Sequence, residues 1–354
     1  IIFIVVLLVI VFLIYRKTRV ITNPIKKLVE HVNKVSNGNL SERAEVTGSL
    51  EIVTLSTRFN KMIAELEDLY NDLEQKVRDR TDEVVAQKVE IEAQRDLLAE
   101  QQKHIIDSIQ YSKRLQTAIL PTNDFVYELF PESFILYLPK DIISGDFYWF
   151  HRHGNKHYFS AIDCTGHGVP GALVSMVGQN WLNYAVKDLE LEKPSDILDA
   201  LNDGVMSTFK ERDDESSVKD GMDIALCCID YDRMKLEFAG AYNPALVIRD
   251  GEIIQLKGDK FPIGAFFKGV KGKFQNHELD VKKGDIVYVY SDGYADQFGG
   301  ENGFKFLTKR FRQLLIDIHI KTMDEQKDIL EKTIVDWMAC VEQIDDITVV
   351  GIKV

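Results

Sequence analysis

The chain has 354 residues, of which 45% are hydrophobic and 28% charged, a composition typical of a globular protein with two or three folded units. Its net charge of −13 arises after residue 120: residues 1–120 carry 17 side chains of each sign, whereas the remainder carries 39 acidic and 26 basic ones. An acidic globular half argues against a nucleic-acid partner. The four cysteines form no CxxC pair, which indicates reduced thiols and no disulfide framework or zinc site.

The first 15 residues are all apolar, and the basic run Arg16-Lys17-Thr18-Arg19 follows at once. Because a membrane span needs about 20 apolar residues, residues 1–15 are interpreted as the C-terminal part of a transmembrane helix. Positive residues mark the cytoplasmic end of a span, which predicts an inner-membrane protein with the chain after residue 16 in the cytoplasm. The alternative is a buried apolar helix of a soluble protein.

Residues 16–66 show two short amphipathic patterns, one beginning near Pro24 and stopping at Gly38, the other beginning near Glu51. Two helices with narrow apolar stripes cannot form a core alone, so a parallel homodimer is expected. The basic run, Pro24, the Gly38-Asn39-Leu40 stop, Glu51 and the run from Phe59 to Met62 resemble a HAMP domain. The resemblance implies a relay of conformational change between membrane and cytoplasm.

The helical pattern continues without Pro or Gly to Leu120, so residues 67–120 are predicted to form a coiled-coil signalling helix. Apolar residues recur every seven positions, at Val77, Val84, Ile91, Leu98 and Ile105, but the companion heptad position is mostly polar. Such a seam predicts a weak parallel coiled coil. It suits either a transmitter with two packings of similar energy or an ordinary dimerising stalk.

Residues 121–354 change to short strands and turns after Pro121, which ends the helix. Helical runs are predicted at 170–189, 194–211, 304–318 and 323–342. The strand-like runs are SFILYLP, HYFSAI, MDIALCCIDY, KLEFAGA, PALVIRDG, GEIIQL, DIVYVY and DDITVVGIKV. Many strands with inserted helical pairs predict an α+β fold, a two-layer sheet sandwich flanked by helices.

Aspartates lie where these strands end, at Asp146, Asp163, Asp292 and the pair Asp345-Asp346. Carboxylates on turns that allow close backbone approach are suitable ligands for Mg²⁺ or Mn²⁺, which prefer oxygen donors. An ordinary turn role explains any single one of them but explains four in one domain poorly.

The run GHGVPG (166–171) has the GxGxxG spacing of a dinucleotide-binding loop. Pro170 lies inside it, however, and no βαβ unit or acidic strand end follows. No GxxxxGK[ST] phosphate loop is present either. The glycines are therefore interpreted as allowing the backbone to approach a metal site at Asp163.

Seven motifs then occur in order: SGDFYW, DCTGHGVPGALVSM, GMDIAL, AGAYNPALVIRDG, FPIGAF, GDIVYVYSDGYADQ and DDITVV. Together they resemble the SpoIIE/RsbU-like branch of the metal-dependent PPM (type 2C) protein phosphatases over about residues 115–354. The resemblance implies an αββα sandwich of two antiparallel sheets, two Mn²⁺ or Mg²⁺ ions, and hydrolysis of phosphoserine or phosphothreonine. The implied substrate is a small phosphoprotein such as an anti-sigma-factor antagonist.

The resemblance also implies the ligand set. Asp146 and Asp163 would ligate the metals, with Asp163 bridging the two ions and the backbone carbonyl of Cys164 contributing. Asp292 and Asp345 would complete the sites, with Asp346 as a further candidate ligand. A metal-activated water would attack phosphorus, so no nucleophilic Cys or Ser is expected.

Three residues depart from the wider family or keep open roles. His167 lies four residues after Asp163, not two, so it is expected to shape the glycine loop and not to act as the general acid. Arg152 lies in a polar turn and is not expected to replace the phosphate-binding arginine of the eukaryotic enzymes. Asp223 either borders the metals or has a structural role.

A catalytically degenerate phosphatase fold that acts as a scaffold is the alternative function.

Overall fold

A computed structural model describes residues 2–209, 220–264 and 272–354 of the chain. The chain forms two compact units, Ile1–Gln101 and Gln102–Val354. The ends of two predicted features, the helix 194–211 and the motif FPIGAF, lie outside the described residues.

The N-terminal unit contains helices α1 (Ile2–Lys17) and α2 (Asn23–Ser36), joined by a π-helical turn at Thr18–Thr22, and the first part of α3 (Leu50–Ile119). No described helix is long and apolar enough to cross a membrane. The apolar helix α1 ends in Arg16 and Lys17. The predicted inner-membrane localisation is therefore wrong, and the transmembrane segment at residues 1–15 is not supported.

Both short amphipathic helices predicted after residue 16 are present. Helix α2 has Pro24 in its first turn and ends just before Gly38, whose φ of +96° suits glycine. Asn60 of α3 holds the connector between the helices, because its side chain accepts the N–H of Ala44 and donates to the carbonyl of Ala44, both at 2.8 Å. Helix α3 then runs unbroken for 70 residues, as the absence of Pro and Gly predicts.

The C-terminal unit contains two five-stranded antiparallel sheets and a small hairpin. Its strands are β1 (Ser133–Leu138), β2 (Phe147–His153), β3 (Lys156–Cys164), β4 (Met222–Asp230), β5 (Lys235–Ala241), β6 (Ala245–Arg249), β7 (Glu252–Leu256), β8 (His277–Asp280), β9 (Ile286–Tyr290), β10 (Phe298–Gly299), β11 (Phe304–Lys305) and β12 (Ile347–Lys353). One sheet has the order β1-β12-β9-β6-β7, the other the order β2-β3-β4-β5-β8, and β10 pairs with β11.

Helices cover the outer faces of both sheets. Helices α5 (Gly168–Lys187) and α6 (Pro194–Thr208) cover one sheet, and α8 (Thr308–Ile318) and α9 (Met323–Met338) cover the other. The unit also contains the short helices α4 (Asn123–Leu129) and α7 (Gly293–Asp296), and the buried residues of α4 belong to the cluster between the sheets. One buried cluster joins the inner faces of the two sheets and includes Phe159, Phe238 and Val287. Two further clusters join the sheets to α5 and α6 and to α8 and α9. The predicted αββα sandwich is thus confirmed.

Some elements differ from the sequence prediction. Helices α4 and α7, strand β8 and the hairpin β10–β11 are additional, and the helix predicted from residue 304 begins at Thr308 because β11 occupies its start. The polar run HRHGNKH, interpreted as a turn, is mostly strand: β2 and β3 pair up to His153 and Lys156. Backbone pairing at an exposed hairpin end does not require apolar side chains.

Candidate active site

The predicted ligands lie at neighbouring strand ends of both sheets. Asp146 directly precedes β2, and Asp163 is the penultimate residue of β3, the strand paired with β2. Asp292 follows β9, and Asp345 and Asp346 precede β12, the strand paired with β9. Two adjacent strands of each sheet therefore direct carboxylates to one end of the sandwich.

Among these carboxylates, Asp163 has the most strongly raised pKa. Burial, followed by the negative charges of Asp146, Asp292, Asp345 and Asp223, raises the pKa of Asp163 to about 10. Burial also raises the pKa of Asp292 and of Asp345, with nearby carboxylates adding to the effect. The cluster is therefore unfavourable as a set of bare anions and is stabilised by bound cations or protons.

Asp146 is the most enclosed member of the cluster. Its side chain is 2% exposed, and burial raises its pKa to about 8. Among the described residues its Oδ2 atom has no hydrogen-bond partner. A buried carboxylate oxygen without a partner is costly, and coordination of a cation removes that cost.

Asp223 joins the cluster from β4. It lies directly opposite Asp163 in the antiparallel register of β3 and β4. Burial, with a smaller contribution from the charge of Asp292, raises the pKa of Asp223 to about 7. Asp223, whose role the sequence left open, thus borders the other carboxylates.

The glycines of the loop allow very close backbone packing beside Asp146 and Asp163. A Cβ atom at Gly145 would lie 2.3 Å from the carbonyl oxygen of Gly166 and 3.3 Å from that of Cys164. A Cβ atom at Gly171 would lie 2.1 Å from the Gly166 oxygen. The carbonyl of Cys164 therefore lies beside the loop that carries Asp146, where a backbone ligand is predicted.

Asp346 fastens the loop that leads to Asp146. This carboxylate is 2% exposed, and its Oδ1 and Oδ2 accept the backbone N–H groups of Lys140 and Gly145, each at 2.7 Å. These bonds give it a positioning role, while its role as a metal ligand stays a prediction.

His167 forms two polar contacts that the sequence did not predict. Its Nδ1 lies 2.6 Å from Oδ2 of Asp141, and its Nε2 lies 3.0 Å from Nζ of Lys140. Lys140 and Asp141 lie 26 or more residues before His167 in an unremarkable PKD run, so no local signal connects them. Arg152 is exposed and pairs with Glu128 at 3.1 Å, as expected for a surface position.

The donor set fits hard divalent cations. It consists of carboxylate oxygens with a backbone carbonyl beside them, as Mg²⁺ and Mn²⁺ prefer. Within the described ranges no three acidic, cysteine or histidine side chains converge closely enough to form a metal shell by themselves. The fit therefore rests on the effects of the carboxylates on one another's pKa values and on the unpartnered oxygen of Asp146.

Comparisons with known proteins identify the family. Residues 154–354 match Stage II sporulation protein E (SpoIIE), and residues 18–68 match the HAMP domain. The chain is 33% identical to the SiaA-PP2C domain of Pseudomonas aeruginosa, with a TM-score of 0.65, over 72% of this chain and 98% of that one.

The chain belongs to the SpoIIE family. Its fold is also that of the PP2C phosphatase domain of SpoIIE from Bacillus subtilis, at 18% identity and a TM-score of 0.51 over 63% of each chain. The RsbU and RsbW domains of a Mycobacterium tuberculosis protein match at 18% identity and a TM-score of 0.50, over 63% of this chain and 60% of that one. No curated protein matches the chain by sequence. The predicted SpoIIE-type phosphatase domain and HAMP domain are thus confirmed.

Proposed function

We propose that this SpoIIE-family chain is a signalling phosphatase that hydrolyses phosphoserine or phosphothreonine on a partner protein, using two Mn²⁺ or Mg²⁺ ions. The observation that carries the proposal is the carboxylate cluster. Asp146, Asp163, Asp292 and Asp345 all have raised pKa values, and one buried oxygen of Asp146 lacks a partner.

The chain's own residues have a limited set of tasks in this reaction. Asp146, Asp163, Asp292 and Asp345 would hold the cations, which supply an activated water and charge neutralisation at the phosphoryl group. The thiol of Cys164 is buried, and burial raises its pKa well above the usual value. Because such a thiol is a poor nucleophile, the chemistry favours direct hydrolysis without a covalent enzyme intermediate.

A protein substrate is in keeping with the SpoIIE family to which the chain belongs. The substrate that we propose is a phosphorylated anti-sigma-factor antagonist, supported by the fold shared with RsbU and SpoIIE.

The end of α3 contacts the active-site loop directly, which supports control through this helix. The buried side chain of Gln116 donates to the carbonyl of Ser144 at 2.6 Å and to Oγ of Ser175 at 3.2 Å, and accepts the N–H of Ser144 at 3.1 Å. Ser144 is two residues before Asp146. A displacement of the helix end must therefore strain or break the bonds that position the Asp146 loop.

A parallel homodimer is part of the proposal. In the single chain the heptad residues Val77, Val84, Ile91 and Leu98 are 56–64% exposed. A second copy of α3 would cover this apolar line, so that a change in the HAMP domain could reach Gln116 in both copies.

Hydrolysis of p-nitrophenyl phosphate tests the proposed function. The wild type should require Mn²⁺ or Mg²⁺, and Asp163→Asn should lose at least ~100-fold in rate because it removes a bridging charge. The exposed Asp336→Asn, on α9, is the matched control and should retain activity. A rate that is absent, or that survives chelation of metals, would favour the scaffold alternative.

A further inference from the structure

Lys140, His167 and Asp141 form a chain of contacts between the Asp146 loop and the start of α5. The Nζ of Lys140 lies 3.0 Å from Nε2 of His167, and Nδ1 of His167 lies 2.6 Å from Oδ2 of Asp141. About half of the His167 and Asp141 side chains is exposed. The contacts therefore lie at an accessible rim, where a substrate can reach them.

The chemistry of the three groups fixes the direction of the hydrogen bonds. An ammonium group has only donors, so Nε2 of His167 accepts a hydrogen bond from Nζ of Lys140. The remaining ring proton then lies on Nδ1 and is donated to the carboxylate of Asp141. The imidazole is neutral in this arrangement and acts as a bracket that holds the ammonium group of Lys140.

Lys140 is anchored through its backbone beside the carboxylate cluster. Its backbone N–H is bonded to Asp346, which also holds the N–H of Gly145 next to Asp146. Burial raises the pKa of Asp345, and the positive charge of Lys140 opposes that rise. The side chain of Lys140 therefore lies within electrostatic reach of a predicted metal ligand.

Lys305, another cation near the carboxylates, is engaged differently. Its charge acts on Asp292, and it is in an ion pair with Asp296 at 2.7 Å. Lys140 contacts a neutral acceptor, so its positive charge is not cancelled by that partner. Within the described ranges its ammonium group has no second hydrogen-bond partner, which leaves two of its three N–H groups to donate to an anion.

We propose that Lys140 contacts the substrate directly: its ammonium group donates a hydrogen bond to a non-bridging phosphoryl oxygen of the phosphorylated side chain. His167 and Asp141 are positioning residues that hold Lys140 toward the carboxylate cluster. The inference rests on the proposed phosphatase function and gives this chain a phosphate contact in place of the arginine that its sequence lacks. Lysine binds phosphate as a point charge on a flexible stem, which explains why a bracket is needed.

The test compares Lys140→Gln, Lys140→Arg and wild type on a phosphoserine peptide, with inorganic phosphate as competitor. Loss of one charged hydrogen bond should raise both KM and the inhibition constant of phosphate by about tenfold or more. Lys140→Arg should restore most of the affinity. Lys353→Gln, which breaks a surface pair with Glu132, is the matched control. Unchanged KM and phosphate inhibition in Lys140→Gln, at an unchanged unfolding temperature, would overturn the proposal.

A variant of the bracket separates its role from proton transfer. His167→Gln should raise KM several-fold with little change in kcat, because Lys140 loses its anchor. A large fall in kcat at constant KM would contradict the positioning role and assign His167 to proton donation.

Binding of inorganic phosphate, measured by calorimetry in the presence of Mg²⁺, distinguishes this inference from the proposed function. A wild type that binds phosphate through Lys140 but hydrolyses nothing would refute the phosphatase and keep the contact. If Lys140→Gln hydrolyses phosphoserine and binds phosphate as the wild type does, only the proposed contact is refuted.

Discussion

Replacement of Gln116 by alanine removes the contact between the end of α3 and the active-site loop. Three hydrogen bonds are lost, two to the backbone of Ser144 and one to Ser175. At about 1 kcal/mol for each bond, the free energy of unfolding should fall by about 2–3 kcal/mol. For a unit of this size, where 1 kcal/mol lowers the unfolding temperature by about 2–4 °C, the fall corresponds to roughly 4–12 °C.

The loop that carries Asp146 also loses its fixed position in Gln116→Ala, so the Mn²⁺ concentration for half-maximal activity should rise. If about 1.4 kcal/mol of the loss falls on metal binding, that concentration rises about tenfold. The assay is peptide dephosphorylation as Mn²⁺ is titrated, together with thermal unfolding. Gln110→Ala, exposed on the same helix, is the control. Wild-type metal dependence in Gln116→Ala, or an equal change in Gln110→Ala, would refute the reasoning.

Three further predictions concern packing, pH and the long helix. Gly171→Ala places a Cβ 2.1 Å from the Gly166 oxygen, so chemical denaturation should show a loss of about 1–3 kcal/mol; an unaltered midpoint would contradict the close packing. Burial lowers the pKa of His151 to about 4; since the unfolded form protonates near pH 6.5, stability should be retained above that pH and lost as pH falls toward 4. The fall in the free energy of unfolding between pH 6.5 and 4 should be about 1–2 kcal/mol, since solvent screens the half-buried His151. His151→Phe should not show this fall, and an equal fall in both proteins would contradict the assignment to His151. Deleting three residues between Val84 and Leu98 rotates the helix phase by about 300° and should change phosphatase activity, whereas deleting seven shifts it by only about 20°; equal activities would disprove relay through this helix.

The sequence predicts the sandwich because many short apolar strands alternate with two inserted pairs of helical runs. β3 is an example: the run HYFSAI lies within Lys156–Cys164, and Asp163 follows it directly. Antiparallel pairing then brings Asp223 opposite Asp163, a relation that depends on register and is invisible in a single strand. The long helix α3 is also predictable from the sequence, since no Pro or Gly occurs between residues 50 and 119.

Other features depend on contacts between distant residues. Gln116 reaches Ser144 and Ser175 across 28 and 59 positions, and His167 reaches Lys140 across 27. No pattern in the local sequence marks such pairs. The membrane prediction was wrong, since no described helix is long and apolar enough to cross a membrane.

Calorimetric titration of Mn²⁺ tests most directly the claim that the carboxylate cluster is a two-cation centre. The wild type should bind two ions for each chain. Asp163→Asn should weaken both binding events, because Asp163 is predicted to bridge the two ions, while Asp336→Asn should bind as the wild type does. Two ions bound equally well by Asp163→Asn, or no binding by the wild type, would contradict the account.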